Sequence, residues 1–250
     1  MSLKISIITV SFNSDATIED TIKSIERQSY KNIEYLIIDG LSSDNTLSIA
    51  NKYPHVVTKI ISEKDNGLYD AMNKGITMAT GDVVGILNSD DLFCDEFAVE
   101  KVMRIFNINP ALDSVYADIF YVSKDNTDNV VRKWVSGEQK PFKKGWHPAH
   151  PTFYVKKHVY EKCGVFNLNY KLAADFELML RFLEKYKIST YYLPSPLIKM
   201  RLGGETNKSF KNIINQNIEC LRAFEENDIS VNKLFYPLFR IIPKFLQYLK

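Results

Sequence analysis

One stretch restricts the fold more than any other: Val83-Val84-Gly85-Ile86-Leu87, followed at once by Asn88-Ser89-Asp90-Asp91. An unbroken apolar-or-glycine run reads as a strand buried on both faces, as in a parallel sheet covered by helices; a half-exposed strand would alternate. The polar run that ends it does not belong in a core. In open α/β sheets, ligands bind at the carboxyl ends of strands. Two adjacent carboxylates there, beside an amide and a hydroxyl, make an all-oxygen site suited to Mg²⁺ or Mn²⁺ shared with ligand phosphates. The competing reading is an acidic turn that caps the next helix. The rest of the chain decides between them.

Residues 5–10 and 33–38 are β-rich and apolar, and 56–61 reads as a third strand. Ser14 or Asp15 can cap a helix through Ile18, Ile22 and Ile25, and Ser42-Ser43-Asp44 can cap a second, short one. A helix over 68–79 puts Leu68, Ala71, Met72, Ile76 and Ala79 on one face. Gly75 inside it weakens it by about 1 kcal/mol, which implies close packing or backbone approach to a ligand. Four strands alternating with three helices imply right-handed crossovers and a Rossmann-like α/β sheet. Beyond it the pattern predicts a helix over 96–106, a strand over 114–122 and its hairpin partner over 130–135. A mobile loop over 136–148 follows, then a helix over 171–186, a strand over 188–193 closing on Pro194, and a helix over 209–226.

Composition narrows the class. With 45% hydrophobic and 25% charged residues, the chain reads as an ordinary soluble globular protein, and a net charge of +2 gives no reason to expect nucleic acid. Cys94, Cys163 and Cys220 are odd in number and far apart, which suggests reduced thiols in the cytoplasm and no structural zinc. No secretory signal and no run of about 18 uncharged apolar residues is present, so the expectation is a soluble or membrane-peripheral protein. The segment 229–250 has two readings. Lys233, Arg240, Lys244 and Gln247 share one helical face opposite Leu and Phe residues, which suits the inner surface of a cell membrane; alternatively it is a terminal helix docked on the domain.

Three of the first four strands end in polar clusters: Thr9 to Asn13, Asp39 to Asp44, and Asn88 to Asp91. Parallel strands line these up along one edge, where Asp39 can accept from a base N–H or a ribose hydroxyl and backbone near Gly40 can approach closely. Neither Gly-x-x-x-x-Gly-Lys nor Gly-x-Gly-x-x-Gly occurs, so phosphate charge falls to a metal on the Asp pair. Lys143, Lys144 or Arg201 are the basic residues available to help.

These stretches, together with Asp65-Asn66-Gly67-Leu68-Tyr69-Asp70-Ala71-Met72-Asn73-Lys74-Gly75, resemble family 2 glycosyltransferases of the GT-A fold. The motifs stand in family order over about the first 95 residues, and more loosely at Ala174-Asp175-Phe176-Glu177-Leu178 and Arg201-Leu202-Gly203-Gly204. The likeness is strongest to bacterial enzymes that build exopolysaccharide or O-antigen units. It implies a donor half over 1–95, an acceptor half over 96–228, and inverting transfer from a UDP-sugar to a glycan or lipid-linked glycan. By resemblance Thr9, Val10, Ser11, Asn13, Asp39 and Asn73 hold the donor, with Asn88 at the ribose where the family usually has Asp, and Asp90 or Asp91 on Mn²⁺ or Mg²⁺. Asp175 matches the family's base, although the usual preceding Glu is Ala174; its competing reading is a helix cap, with Glu177 the substitute. His147 and His150, flanking Pro148, stand near acceptor or phosphate.

An alternative from another class is a non-catalytic nucleotide-sugar-binding scaffold, supported by the departures at Asn88 and Ala174. A polyprenyl-phosphate sugar transferase would carry a long spanning region that the sequence lacks. The sugar, the acceptor and dimerisation stay open.

Overall fold

The computed structural model describes residues 2–203, 210–237 and 240. The chain is a mixed α/β fold in which a curled sheet is sandwiched between helices. The donor-side strands are β1 (Ile5–Ser11), β2 (Ile33–Asp39), β3 (Lys59–Ser62) and β4 (Val83–Ile86), followed by the two-residue β5 (Leu92–Phe93). Then come β6 (Ser114–Val122), β7 (Val130–Trp134), β8 (Tyr154–Lys156) and β9 (Thr190–Arg201). The helices are α1 (Ile18–Glu26), α2 (Thr46–Ala50), α3 (Leu68–Met78), α4 (Ala98–Ile108), α5 (Lys157–Cys163), α6 (Ala174–Leu180) and α7 (Phe210–Glu226).

The sheet runs β3-β2-β1-β4-β8-β6-β9-β5, with β7 attached to β6. β1 to β4 are parallel, as the buried runs and intervening helices require. Beyond β4 the sheet is mixed: β8 is antiparallel to β4 and β6, β6 is parallel to β9, and β5 is antiparallel to β9. One apolar layer holds Ile8, Val10, Ile38 and Met72 with α6 and α7; the other holds Ile7, Ile22, Tyr35 and Val102 with α1 and α4. Successive residues of β1 therefore enter opposite layers, as a strand of period two must. Gly75 sits where α3 lies against β1 and β2: an added Cβ would meet Ile8 and Ile38, so close packing explains it.

Several expectations change. The third strand begins only at Lys59, because the Val56 and Val57 N–H groups bond back to Tyr53 O in a turn. β9 passes through Pro194 and Pro196 rather than stopping, since register shifts around Asp118 take up residues that cannot donate to the ladder. The stretch 136–148 is packed rather than mobile: Phe142 is fully buried and Trp146 Nε1 donates to Ser136 O at 2.7 Å. The helix expected over 171–186 starts at Ala174 and widens to a π-type turn at Arg181–Lys185. Neither Ser14 nor Asp15 caps α1 with its side chain; that helix begins after Thr17.

Of the two readings of 229–250, the docked helix is the one that Tyr236 and Arg240 follow. Tyr236 is fully buried against Phe224, with ring centroids 5.0 Å apart, and Arg240 is buried too, donating to Cys220 Sγ at 2.9 Å. A residue expected on the basic outer face thus docks on the domain. Residues 238–239 and 241–250, Lys244 and Gln247 among them, lie outside the described residues. No helix among the described residues is long and apolar enough to cross a membrane. Cys94, Cys163 and Cys220 are all free.

Candidate active site

The three polar strand ends do converge, and Asp39 joins two of them. Its carboxylate is completely buried. Oδ1 accepts from Ser11 Oγ at 3.1 Å and Ser42 Oγ at 2.5 Å; Oδ2 accepts from Ser42 N at 2.9 Å and Ser62 Oγ at 2.7 Å. Asp39 therefore ties the ends of β1, β2 and β3 with all four acceptor positions in use. After β2 the chain reverses through Leu41, at φ 62°, and after β1 through Asn13, at φ 48°. Asn13 is pinned there: its N–H donates to Ser42 Oγ at 2.8 Å and its Oδ1 accepts from Ser43 N at 2.9 Å. Short polar side chains tolerate this left-handed backbone; Leu41 carries a steric cost.

Thr9 and Val10 are sealed in the core, Thr9 accepting from Tyr35 OH at 3.1 Å, so their side chains do not line the edge. Main chain does. The Leu87 N–H bonds to Ile8 O at 3.0 Å, and parallel alternation turns the N–H and C=O of Val10 to the same side, past the end of β4. Beside them Phe12 leaves 66% of its surface exposed, an aromatic face that the sequence reading passed over. An apolar residue at a polar strand end was the available signal.

At the end of β4 the loop Asn88–Asp91 is gripped from two sides. Thr21 Oγ1 donates to Ser89 O at 3.0 Å and Asp91 O at 2.8 Å, and Ser89 Oγ meets Ser14 Oγ at 2.8 Å. From β9, Arg201 donates through Nη1 to Asp90 O and through Nη2 to Asp20 Oδ2, both at 2.6 Å. Arg201 is buried and braces the loop instead of waiting in solvent. Asn88 Nδ2 donates to Asp91 Oδ2 at 3.3 Å, whereas Asn88 Oδ1 and Asp91 Oδ1 are buried with no partner. Buried acceptors without donors are costly. Burial pushes the Asp90 carboxyl up, and burial together with the neighbouring Asp90 charge pushes Asp91 well up. A hard cation answers all of these at once. No group of three or more acidic, His or Cys side chains placed to hold a metal exists among the described residues, so what this loop could offer an ion is the Asp90 and Asp91 carboxylates. That fits an ion whose remaining ligands are phosphate oxygens and water.

The third part lies on α3 and α6. Asp175, in the first turn of α6, accepts at Oδ1 from the Phe176 N–H at 2.8 Å and, distantly, from Tyr69 OH at 3.4 Å. Tyr69 is the second residue of α3, so this contact ties the start of α6 to the start of α3. Among the described residues no hydrogen bond reaches Asp175 Oδ2. His150 packs edge-on to Phe166 at 5.6 Å, and burial holds its pKa down while Asp175 draws it up. His147 contacts Trp134 and Phe176 and bonds to Pro148 O.

Other expected site residues are placed elsewhere. Asn73 spends both ends of its amide on Phe166, Nδ2 on its O and Oδ1 on its N–H, each at 2.9 Å. It staples α3 to the segment before α6. Glu177 is buried in an ion pair with Arg181 at 2.9 Å and also accepts from Asn227 Nδ2 at 3.1 Å, which removes it as a substitute base. Lys143 and Lys144 are exposed on a 3₁₀ turn, Phe142–Lys144.

The family described as Glycosyl transferase family 2 matches residues 6–168. The chain belongs to that family. Family 2 relatives include a PGL/p-HBAD biosynthesis glycosyltransferase of Mycobacterium tuberculosis (strain ATCC 25177 / H37Ra), 28% identical over 194 residues that cover 75% of this chain and 73% of the relative. Among solved structures, S. aureus TarS 1-349 in complex with UDP-GlcNAc superposes with a TM-score of 0.67 at 15% identity, over 98% of this chain and 72% of that one. The mannosyltransferase PcManGT from Pyrobaculum calidifontis, in complex with GDP-Man and Mn2+, gives a TM-score of 0.68 at 15% identity, over 96% and 68%. The GT-A fold and the glycosyltransferase class follow for this family 2 chain.

Proposed function

We propose that this family 2 enzyme transfers a sugar, with inversion, from a nucleotide-diphosphate donor, UDP-linked, to a hydroxyl of a glycan or lipid-linked glycan in cell-surface polysaccharide synthesis. The observation that carries the reading is the pair of unpartnered buried oxygens, Asn88 Oδ1 and Asp91 Oδ1, beside Asp90 at the carboxyl end of β4. The donor complexes of TarS and PcManGT, which share this fold, support it.

In this reading residues 1–95 bind the donor and 96–228 receive the acceptor. Phe12 stacks on the base and the Val10 main chain holds the nucleoside, while Asp39, its acceptor positions spent on Ser11, Ser42 and Ser62, keeps the strand ends around it in place. Asn88 faces the ribose. Asp90 and Asp91 would hold Mn²⁺ or Mg²⁺, which when bound neutralises charge on the leaving diphosphate. Asp175 takes the acceptor's proton. The acceptor oxygen bonds to the anomeric carbon, the bond from that carbon to the β-phosphate oxygen breaks with its electrons going to the nucleoside diphosphate, and the proton goes to Asp175 Oδ2. Burial holds the pKa of the neighbouring His150 below its ordinary value, against the pull of Asp175.

The test is release of nucleoside diphosphate by Asp175→Asn. Transfer should fall by about two to four orders of magnitude, the range for a positioned general base, while donor affinity and Tm barely change. Near-normal transfer by the variant would overturn the assignment.

A further inference from the structure

α6 has no side-chain cap at its N-cap position, although Asp175 Oδ1 takes the Phe176 N–H within the first turn. Its N-cap position is Ala173, which has no side chain to offer, and no side-chain hydrogen bond is made from it. The third helical position is Phe176, so the reciprocal Glu of a capping box is missing as well. Yet Asp175, the proposed base, sits in this first turn, where an unsatisfied helix start would fray.

The acceptor comes from α7. Glu219 Oε2 accepts from the N–H groups of Leu172 at 2.8 Å and Ala173 at 2.9 Å, and Oε1 from that of Lys171 at 3.1 Å. Three consecutive main-chain donors converge on one carboxylate. The same stripe of α7 holds the rest of the approach: Arg222 Nη2 donates to Asn169 O at 2.9 Å, and Glu226 accepts from Tyr170 OH at 2.7 Å. These residues stand three and four apart, one face of a helix.

We propose that Glu219 is a positioning residue for the transfer reaction: it holds the N-cap residue Ala173 and the two residues before it from another helix, and so fixes the start of α6 and the Asp175 carboxylate where the acceptor hydroxyl must meet it. The inference rests on the reading of Asp175 as base. Misplacing a reacting group by about 1 Å can cost roughly a hundredfold in rate, so this hold acts on turnover. It leaves the donor alone, because the donor's partners lie on β1, β2 and β4.

The test compares Glu219→Ala and Glu219→Gln in the full chain, using steady-state transfer, donor KM and Tm. Gln drops the charge but keeps an oxygen for the Leu172 and Ala173 N–H groups. Glu219→Ala should lose kcat by roughly ten- to a hundredfold with donor KM unchanged, and Glu219→Gln should stay within about threefold of the parent. In an Asp175→Asn background, Glu219→Ala should cost nothing further, since there is no base left to position. Normal kcat in Glu219→Ala, or equal losses in the Ala and Gln variants, would overturn the proposal. So would a further loss in the Asp175→Asn background. If instead Asp175→Asn alone transfers normally, the reading of the base has failed, and that result is separate.

Discussion

Glu34 offers a stability test that stays clear of the site while touching the strands that carry it. It lies near the start of β2 with only 6% of its surface exposed. Its carboxylate accepts from Ser6 Oγ on β1, from the Thr80 N–H at 2.7 Å ahead of β4, and from Lys4 Nζ at 3.1 Å. Burial alone would raise its pKa; the hydrogen bonds from Ser6, Thr80 and Lys4 outweigh it and hold the carboxyl at about 2, against an ordinary 4.5. A carboxylate whose folded pKa is depressed stabilises the fold above its unfolded pKa and loses that contribution as pH falls through the folded one. The difference is worth about 3 kcal/mol at neutral pH. For a chain of this size Glu34→Gln should therefore lower Tm by roughly 6 to 12 °C at pH 7. The gap should close as pH falls from about 4.5 to about 2, where the parent carboxyl is itself protonating. Paired thermal melts across that window, with transfer assayed at 25 °C, give the measurement. An equal Tm deficit at pH 2 and pH 7 would refute the electrostatic argument, and so would no deficit at pH 7.

Two further outcomes follow from the same structure. Mn²⁺ should strengthen UDP binding measured by calorimetry, and Asp90→Asn should lose most of the gain; equal affinity in Mn²⁺ and in EDTA would remove the metal from the reading. Ending the chain at Ser230 strips Tyr236 from Phe224 and Phe176, so stability should fall about as far as in Tyr236→Ala, by about 3 to 5 kcal/mol for a buried aromatic, and Tm by about 6 to 20 °C; an unchanged Tm would return the segment to the surface.

Where the sequence was easy to read, local pattern and tertiary structure agreed. β1 and β2 are mostly apolar runs, β4 an unbroken one, all with polar ends, and α3 shows a clean apolar face, so their spans are legible to within a residue or so. β5 and β8, two and three residues long, are too short to carry a period and exist because neighbouring strands accept them. Pro194 and Pro196 read as a stop, and only the bulged partner at Asp118 explains why they are not. The site shows the same division. Motif spacing brought Asp39, Asn88, Asp90 and Asp175 forward as candidates. It could not reveal that Asn73 and Glu177 are consumed by Phe166 and Arg181, because those partners lie far along the chain or around the next helical turn.

The path of the sheet also sets an order of assembly. β1 to β4 find their partners within the first 86 residues, whereas β6 must wait for β9, with Ser114 opposite Thr190, before its second edge is filled. Such long-range pairing is the slow part of folding. Arg201, which grips the Asp90 main chain, is the last residue of that last strand. During synthesis the first four strands can therefore gather while the acidic loop is still without its clamp. The second grip on that loop closes only when nearly all of the sheet is in place, and an early-emerging half-molecule would hold it from the Ser14 and Thr21 side alone.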